Sequence, residues 1–80
     1  MNLADLKKSQ LHFVGIGGSG MSGLARIAIA MGIQTSGSDA KSSQTLETLT
    51  TLGAKTYIGH DKSHIHVGQI VVTAPHVDRP

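Results

Sequence analysis

Apolar positions along this chain follow two rhythms that alternate. Leu11, Phe13 and Val14 stand in a short β-prone run that ends at Gly15. From Met21 to Met31 the period lengthens: Met21, Leu24, Ala25, Ile27, Ala28 and Met31 recur at three- and four-residue steps, which makes one face of a helix. Gly32 follows as its C-terminal stop. "IQTSGSD" predicts a second, weaker strand, with Ile33 and Thr35 on one face and Asp39 just past its end. Ser42 or Ser43 is placed to cap a second helix carrying Leu46, Leu49 and Leu52 on one side, with Gly53 as its stop. "AKTYIG" reads as a third strand and the polar "GHDKSHIHVG" as a connection. "QIVVTA" predicts a fourth strand of the near-continuous apolar kind that is buried on both faces.

Strands alternating with helices predict an α/β fold, a Rossmann-like open parallel sheet with flanking helices joined by right-handed crossovers. Eighty residues make a single domain. The sequence stops at "TAPHVDRP", directly after a strand-like run, so residues 1–80 are expected to be a truncated domain. A parallel sheet that stops early leaves an unpaired edge, and self-association of the piece is expected from it.

Composition narrows the partners. The net charge is +2, and Lys7-Lys8 is the single basic doublet, read as a solvated face. Phe13 and Tyr57 are the only aromatic residues, so neither a basic run nor a stacking platform favours nucleic acid. The chain has no Cys, which removes thiol chemistry and Cys-ligated zinc and fits a reducing compartment. No apolar run approaches the roughly 20 residues that cross a bilayer, and "MNLADLKKSQ" carries no signal-like apolar segment, so a cytoplasmic protein is expected.

The chemistry concentrates in "VGIGGSGMSG". Gly15-Ile16-Gly17-Gly18-Ser19-Gly20 satisfies G-x-G-x-x-G, and Gly18 to Gly23 satisfies it again. The loop leaves a predicted strand and opens a predicted helix. An acidic residue, Asp39, follows 24 positions after Gly15 and 19 after Gly20, close to the roughly 20 of dinucleotide-binding folds. Bare backbone N–H groups and the positive end of a helix converge there, so a pyrophosphate can approach directly. Gly20 and Gly23 are also expected to let the helix pack close to the sheet. No G-x-x-x-x-G-K-[ST] occurs and the nearest basic residue is Arg26, so the loop is expected to bind a diphosphate without cleaving it.

Other candidates sit at the predicted carboxyl ends of strands, where ligands of open α/β sheets collect. Asp39, with Ser38 beside it, would accept from ribose hydroxyls or a base edge; the alternative is an N-cap for the next helix. His60 in "IGHD" would contact a base or ribose, or stand as a surface histidine. Thr73 and Ala74 would reach the sugar or phosphate. His64 and His66 form H-x-H without a third ligand, which reads as an exposed loop, and no metal site is expected. His12 reads as a half-buried packing residue, and His76 lies near the chain end. No nucleophile elbow is present, and no catalytic residue is expected. From the residues alone, NAD suits this loop as well as UDP does, and a ligand-free structural module stays open.

The wording goes further. "HFVGIGGSGMSGLA", the Gly32 to Asp39 segment ending in "SGSD", "LGAKTYIGHD" and "VVTAP" together resemble the N-terminal domain of the Mur ligases, specifically those that add L-alanine to UDP-N-acetylmuramate in peptidoglycan synthesis. The resemblance runs from Leu11 to about Ala74, in order. The murein-tripeptide ligases rank second. The resemblance implies that Gly15, Gly17, Gly18, Ser19, Gly20 and Met21 face the pyrophosphate of UDP. Asp39 and His60 would then face the uridine, with Thr73 and Ala74 along the diphosphate-sugar. It further implies that ATP, Mg²⁺ and L-alanine are handled by domains this chain lacks, so that these 80 residues alone bind no cofactor and are inactive. The rival is an NAD-binding domain of a dehydrogenase or regulatory protein.

Overall fold

A computed structural model describes residues 9–73. Lys7-Lys8, Ala74 and His76 lie outside the described residues. The elements follow the predicted order: β1 (Gln10–Val14), α1 (Ser19–Ala30), β2 (Gln34–Asp39), α2 (Gln44–Leu52), β3 (Lys55–Ile58), a 3₁₀ turn (Lys62–His64) and β4 (Gln69–Thr73). The four strands form one sheet in the order β3-β2-β1-β4, all parallel.

Local chemistry explains the boundaries. Ser43 caps α2, its side-chain oxygen accepting from the Leu46 N–H at 3.2 Å. Gly53 ends that helix in the left-handed conformation, φ +119°, which a side chain would strain. Met31 closes α1, and Gly32 follows it as the predicted stop.

Register sorts the sheet into two faces. Leu11 and Phe13 of β1 share a face with Thr35 and Gly37 of β2 and with Ile70 and Val72 of β4. Both helices cover this side. Its core joins Leu11, Phe13, Ile16, Met21, Ala25 and Ala28 to Ile33, Leu46, Leu49 and Ala54. Full burial of a side chain the size of Ile16 or Leu49 contributes about 1.5–3 kcal/mol. The opposite face is polar. His12 is only 1% exposed, and its Nδ1 lies 2.8 Å from Ser36 Oγ, which also accepts from Gln69 Nε2 at 3.3 Å. The connection between β3 and β4 closes over this side, with the His64 ring stacked on Tyr57 at 4.1 Å.

Three expectations need correction. His12 is buried rather than half-buried, because the connection and the Ser36 hydroxyl enclose it. Leu24, Ile27 and Leu52 are exposed, at 52%, 58% and 49%; each helix turns only a narrow stripe to the sheet, Met21, Ala25 and Ala28 in α1 and Leu46 and Leu49 in α2. And β4 is an outer strand with Ile70 and Val71 exposed and only Val72 packed against the core, since the helices lie mainly over β2 and β3. Its outer edge is unpaired among the described residues, and is the surface that the expected self-association would use.

Candidate functional site

The order β3-β2-β1-β4 reverses direction at β1, whose neighbours β2 and β4 are reached by connections running to opposite sides. In open α/β sheets that reversal opens a crevice at the carboxyl ends of the strands. Here it falls between the ends of β1 and β4, where Val14 is in register with Thr73. A cavity of about 430 Å³ occupies this position. Gly15, Gly18 and Gly20 form one wall, and Met21, Leu24 and Val72 give it an apolar side.

The loop between β1 and α1 is held from within. Gly15 turns the chain at φ +79°, and the N–H groups of Gly15 and Ile16 both donate to the Ser38 carbonyl, at 2.8 and 3.0 Å. The Gly17 N–H donates to Asp39 Oδ2 at 2.8 Å, and the Gly18 N–H to the Gly15 carbonyl at 3.0 Å. Ile16 is fully buried and acts as the loop's plug. It rests on Gly37, where a Cβ would stand 2.5 Å from Ile16 Cδ1 and 2.8 Å from the Phe13 carbonyl oxygen.

A defined set of donors remains at the start of α1. Gly18 is the N-cap of α1 and offers no side-chain cap, and the first helical amide with a backbone partner is that of Ser22, bonded to Gly18 O at 2.7 Å. The N–H groups of Ser19, Gly20 and Met21 have no partner among the described residues. They are the orphan donors of the first helical turn, at the positive end of the helix dipole. Gly20 is exposed, and a Cβ there would meet nothing within 4 Å, so an anion has open access to them. Such an arrangement can bind phosphate oxygens.

A second cluster lies one strand over, at the carboxyl ends of β2 and β3. Ser38 Oγ is 2.7 Å from His60 Nδ1. The Gly59 N–H donates to the Asp39 carbonyl at 2.7 Å, which fixes the backbone before His60 against the end of β2. Asp39 is half-buried, and its Oδ1 has no partner among the described residues. The cap of α2 is Ser43, so the N-cap alternative for Asp39 does not hold.

The sequence candidates therefore divide. Gly15, Gly18, Gly20, Met21 and Thr73 meet at the cavity, and Ser19 presents its amide from the same helical turn. Ser38, Asp39 and His60 gather beside it, while Ala74 lies outside the described residues. Gly17 turns its N–H to Asp39 rather than to the crevice. Gly20 and Gly23 do not bring the helix close to the sheet: both are exposed, with open space where a Cβ would stand. The close-packing glycines are Gly17, where a Cβ would stand 2.7 Å from Asp39 Oδ2 and 3.3 Å from Leu46 Cδ1, and Gly37, which the motif reading passed over. A glycine inside a strand pattern often marks a close approach, and a lone Ile inside a glycine loop needs somewhere to be buried. Those were the available signals. His64 and His66 gain no metal-binding company among the described residues.

Comparison with known proteins gives a consistent result. The profile of the Mur ligase family, catalytic domain, matches residues 10–80. A UDP-N-acetylmuramate–L-alanine ligase from Nocardioides is 53% identical over 73 residues, covering 89% of this chain and 16% of that protein. One from Endomicrobium trichonymphae is 49% identical over 92% of this chain and 16% of its own length. Among solved structures, the UDP-N-acetylmuramate-alanine ligase of Thermotoga maritima superposes with a TM-score of 0.77 at 30% identity, covering 86% of this chain and 16% of that one. The murein peptide ligase of Psychrobacter arcticus gives a TM-score of 0.75 at 30% identity, covering 81% of this chain and 14% of that one. The match lies in the N-terminal region of the L-alanine ligases. This chain thus spans about a sixth of the length of the relatives it matches.

Proposed function

This chain belongs to the Mur ligase family, and from that premise we propose that its crevice binds the UDP part of UDP-N-acetylmuramate for an ATP-dependent ligase that adds L-alanine. The observation that carries this reading is the uncapped start of α1 at the sheet reversal, with the Ser19, Gly20 and Met21 amides free beside an open cavity. The diphosphate sits on those amides. The uridine lies toward Asp39 and His60, and the sugar runs past Thr73 along the apolar wall of Val14, Met21 and Val72.

The role is to hold the substrate. ATP and Mg²⁺ activate a carboxylate in ligases of this type, and the residues present do not fit them: no lysine stands in the glycine loop or directly after it, and no three metal-binding side chains cluster among the described residues. The proposal assigns these residues, about a sixth of the length of the relatives, to holding the nucleotide and gives them no part in activation or in attack by L-alanine. Among the described residues no helix is long and apolar enough to cross a membrane, and a cytoplasmic setting is part of the proposal.

Calorimetric titration with UDP, UDP-N-acetylmuramate and NAD⁺ tests the reading. UDP should bind more tightly than NAD⁺, and the muramyl sugar should add affinity. Tighter binding of NAD⁺ would favour the dehydrogenase-type alternative.

A further inference from the structure

Ser38 stands where the two halves of the crevice meet. Its backbone carbonyl accepts from both Gly15 and Ile16, and so anchors the loop that leads into α1. Its side chain is 2% exposed and reaches His60 instead, with Oγ 2.7 Å from Nδ1. Nothing else among the described residues pairs with that hydroxyl, and Nε2 of the exposed His60 ring has no partner there.

We propose that Ser38 is a positioning residue whose hydroxyl donates to His60 Nδ1, holding the ring as the Nε2–H tautomer and presenting a fixed N–H donor to an acceptor atom of the bound nucleoside. The direction of the bond follows from satisfying both groups. If Nδ1 carried the proton and donated to Oγ, the buried Ser38 O–H would have no acceptor and would bear the desolvation penalty of an unmade bond. With Nδ1 as acceptor, the serine proton is used and the ring proton moves to the outward nitrogen. The Gly59 amide, bonded to the Asp39 carbonyl at 2.7 Å, fixes the backbone that carries the ring. The Nε2–H donor of His60 and the acceptor Oδ1 of Asp39 then stand on neighbouring strand ends, a pair suited to a base edge with adjacent carbonyl and N–H groups. Ser38 thus acts through His60 rather than on the ligand, and its carbonyl ties that nucleoside side to the phosphate loop. The inference rests on reading the crevice as a nucleoside-diphosphate site.

Side-chain ¹H–¹⁵N correlation NMR of the whole chain at about pH 8, above the ordinary histidine range, reads the tautomer directly. The parent should show His60 as Nε2–H alone, and Ser38→Ala should give a mixture of both forms. UDP affinity should fall about 3- to 10-fold in Ser38→Ala and by a similar factor in His60→Ala, with the double variant no weaker than the weaker single. A parental Nδ1–H signal, a tautomer unchanged by Ser38→Ala, or additive losses in the double variant would overturn the proposal. The parental tautomer needs no variant, so a Ser38→Ala chain that fails to fold leaves the decision with that signal. If UDP does not bind although the tautomer responds as stated, the nucleoside reading fails while the Ser38–His60 bond stands.

Discussion

Gly37→Ala perturbs the contact that shapes the phosphate loop. An alanine Cβ at this position would lie 2.6 Å from Ile16 Cβ and 2.8 Å from the Phe13 carbonyl oxygen, neither of which is the free end of a flexible side chain. Ile16 cannot turn away, because it is fully buried and its amide is tied to the Ser38 carbonyl. Overpacking of this kind costs about 1–3 kcal/mol, and displacing the loop weakens a buried backbone hydrogen bond worth about 1 kcal/mol. Against this, alanine reduces the freedom of the unfolded chain by about 0.4–1 kcal/mol. The net expectation is a loss of about 2–3 kcal/mol, a large share of what so small a domain holds at roughly 0.05–0.15 kcal/mol per residue. At about 4–8 °C per kcal/mol for this size, the midpoint should fall by about 10–20 °C. Gly23→Ala is the control: it is exposed inside α1 with nothing within 4 Å of the new Cβ, and should gain about 0.5–1 kcal/mol. Thermal and urea unfolding followed by far-ultraviolet circular dichroism measure both. A Gly37→Ala midpoint equal to that of the parent would refute the Ile16 contact as the loop's support.

Other outcomes follow from the site and from the polar face. Gly20→Ala adds a methyl into open space, so unfolding should be unchanged or slightly improved, while UDP affinity by calorimetry should fall about 10-fold or more as a charge-assisted amide contact is obstructed; lost stability with unchanged affinity would count against a phosphate at that turn. Asp39→Ala removes the acceptor for the Gly17 N–H, so urea unfolding should report a loss of about 1–2 kcal/mol, and a neutral result would show that the loop does not depend on this bond. Burial, reinforced by the nearby His64, His66 and His60, holds the His12 imidazole below the ordinary histidine value near 6.5. Stability from that site is therefore complete above about pH 6.5 and declines as the unfolded chain takes up the proton first, by at most about 1.4 kcal/mol per pH unit. A urea midpoint that declines as the pH falls below about 6.5 in the parent, and less so in His12→Gln, checks this.

Much of the fold was legible in the sequence because its signals are local. The three-and-four spacing after Met21, the Ser43 cap and the Gly53 stop each act within one turn of chain, and each stands where expected. The placing of Asp39 against the glycine loop was legible in spacing, but its partner was not. That carboxylate closes the loop through Gly17, a contact that depends on how β1 and β2 align. Burial was the least readable property. The run in "QIVVT" looks like an inner strand, yet its exposure is decided by which elements pack beside it. The glycines taught the same lesson, since composition cannot say which of them faces a neighbour. Gly20 and Gly23 face open space, while Gly17 inside the motif and Gly37 outside it take the close contacts.

In the proposed function a diphosphate rests on the first turn of α1. Backbone amide NMR during titration with UDP tests it most directly, because the donors are named. The Ser19, Gly20 and Met21 signals should move most, joined by side-chain shifts at His60, while the amides of Gly15, Ile16 and Gly17, already bonded within the protein, move less. Saturable binding of UDP that leaves the Ser19, Gly20 and Met21 amides unmoved would contradict the claim.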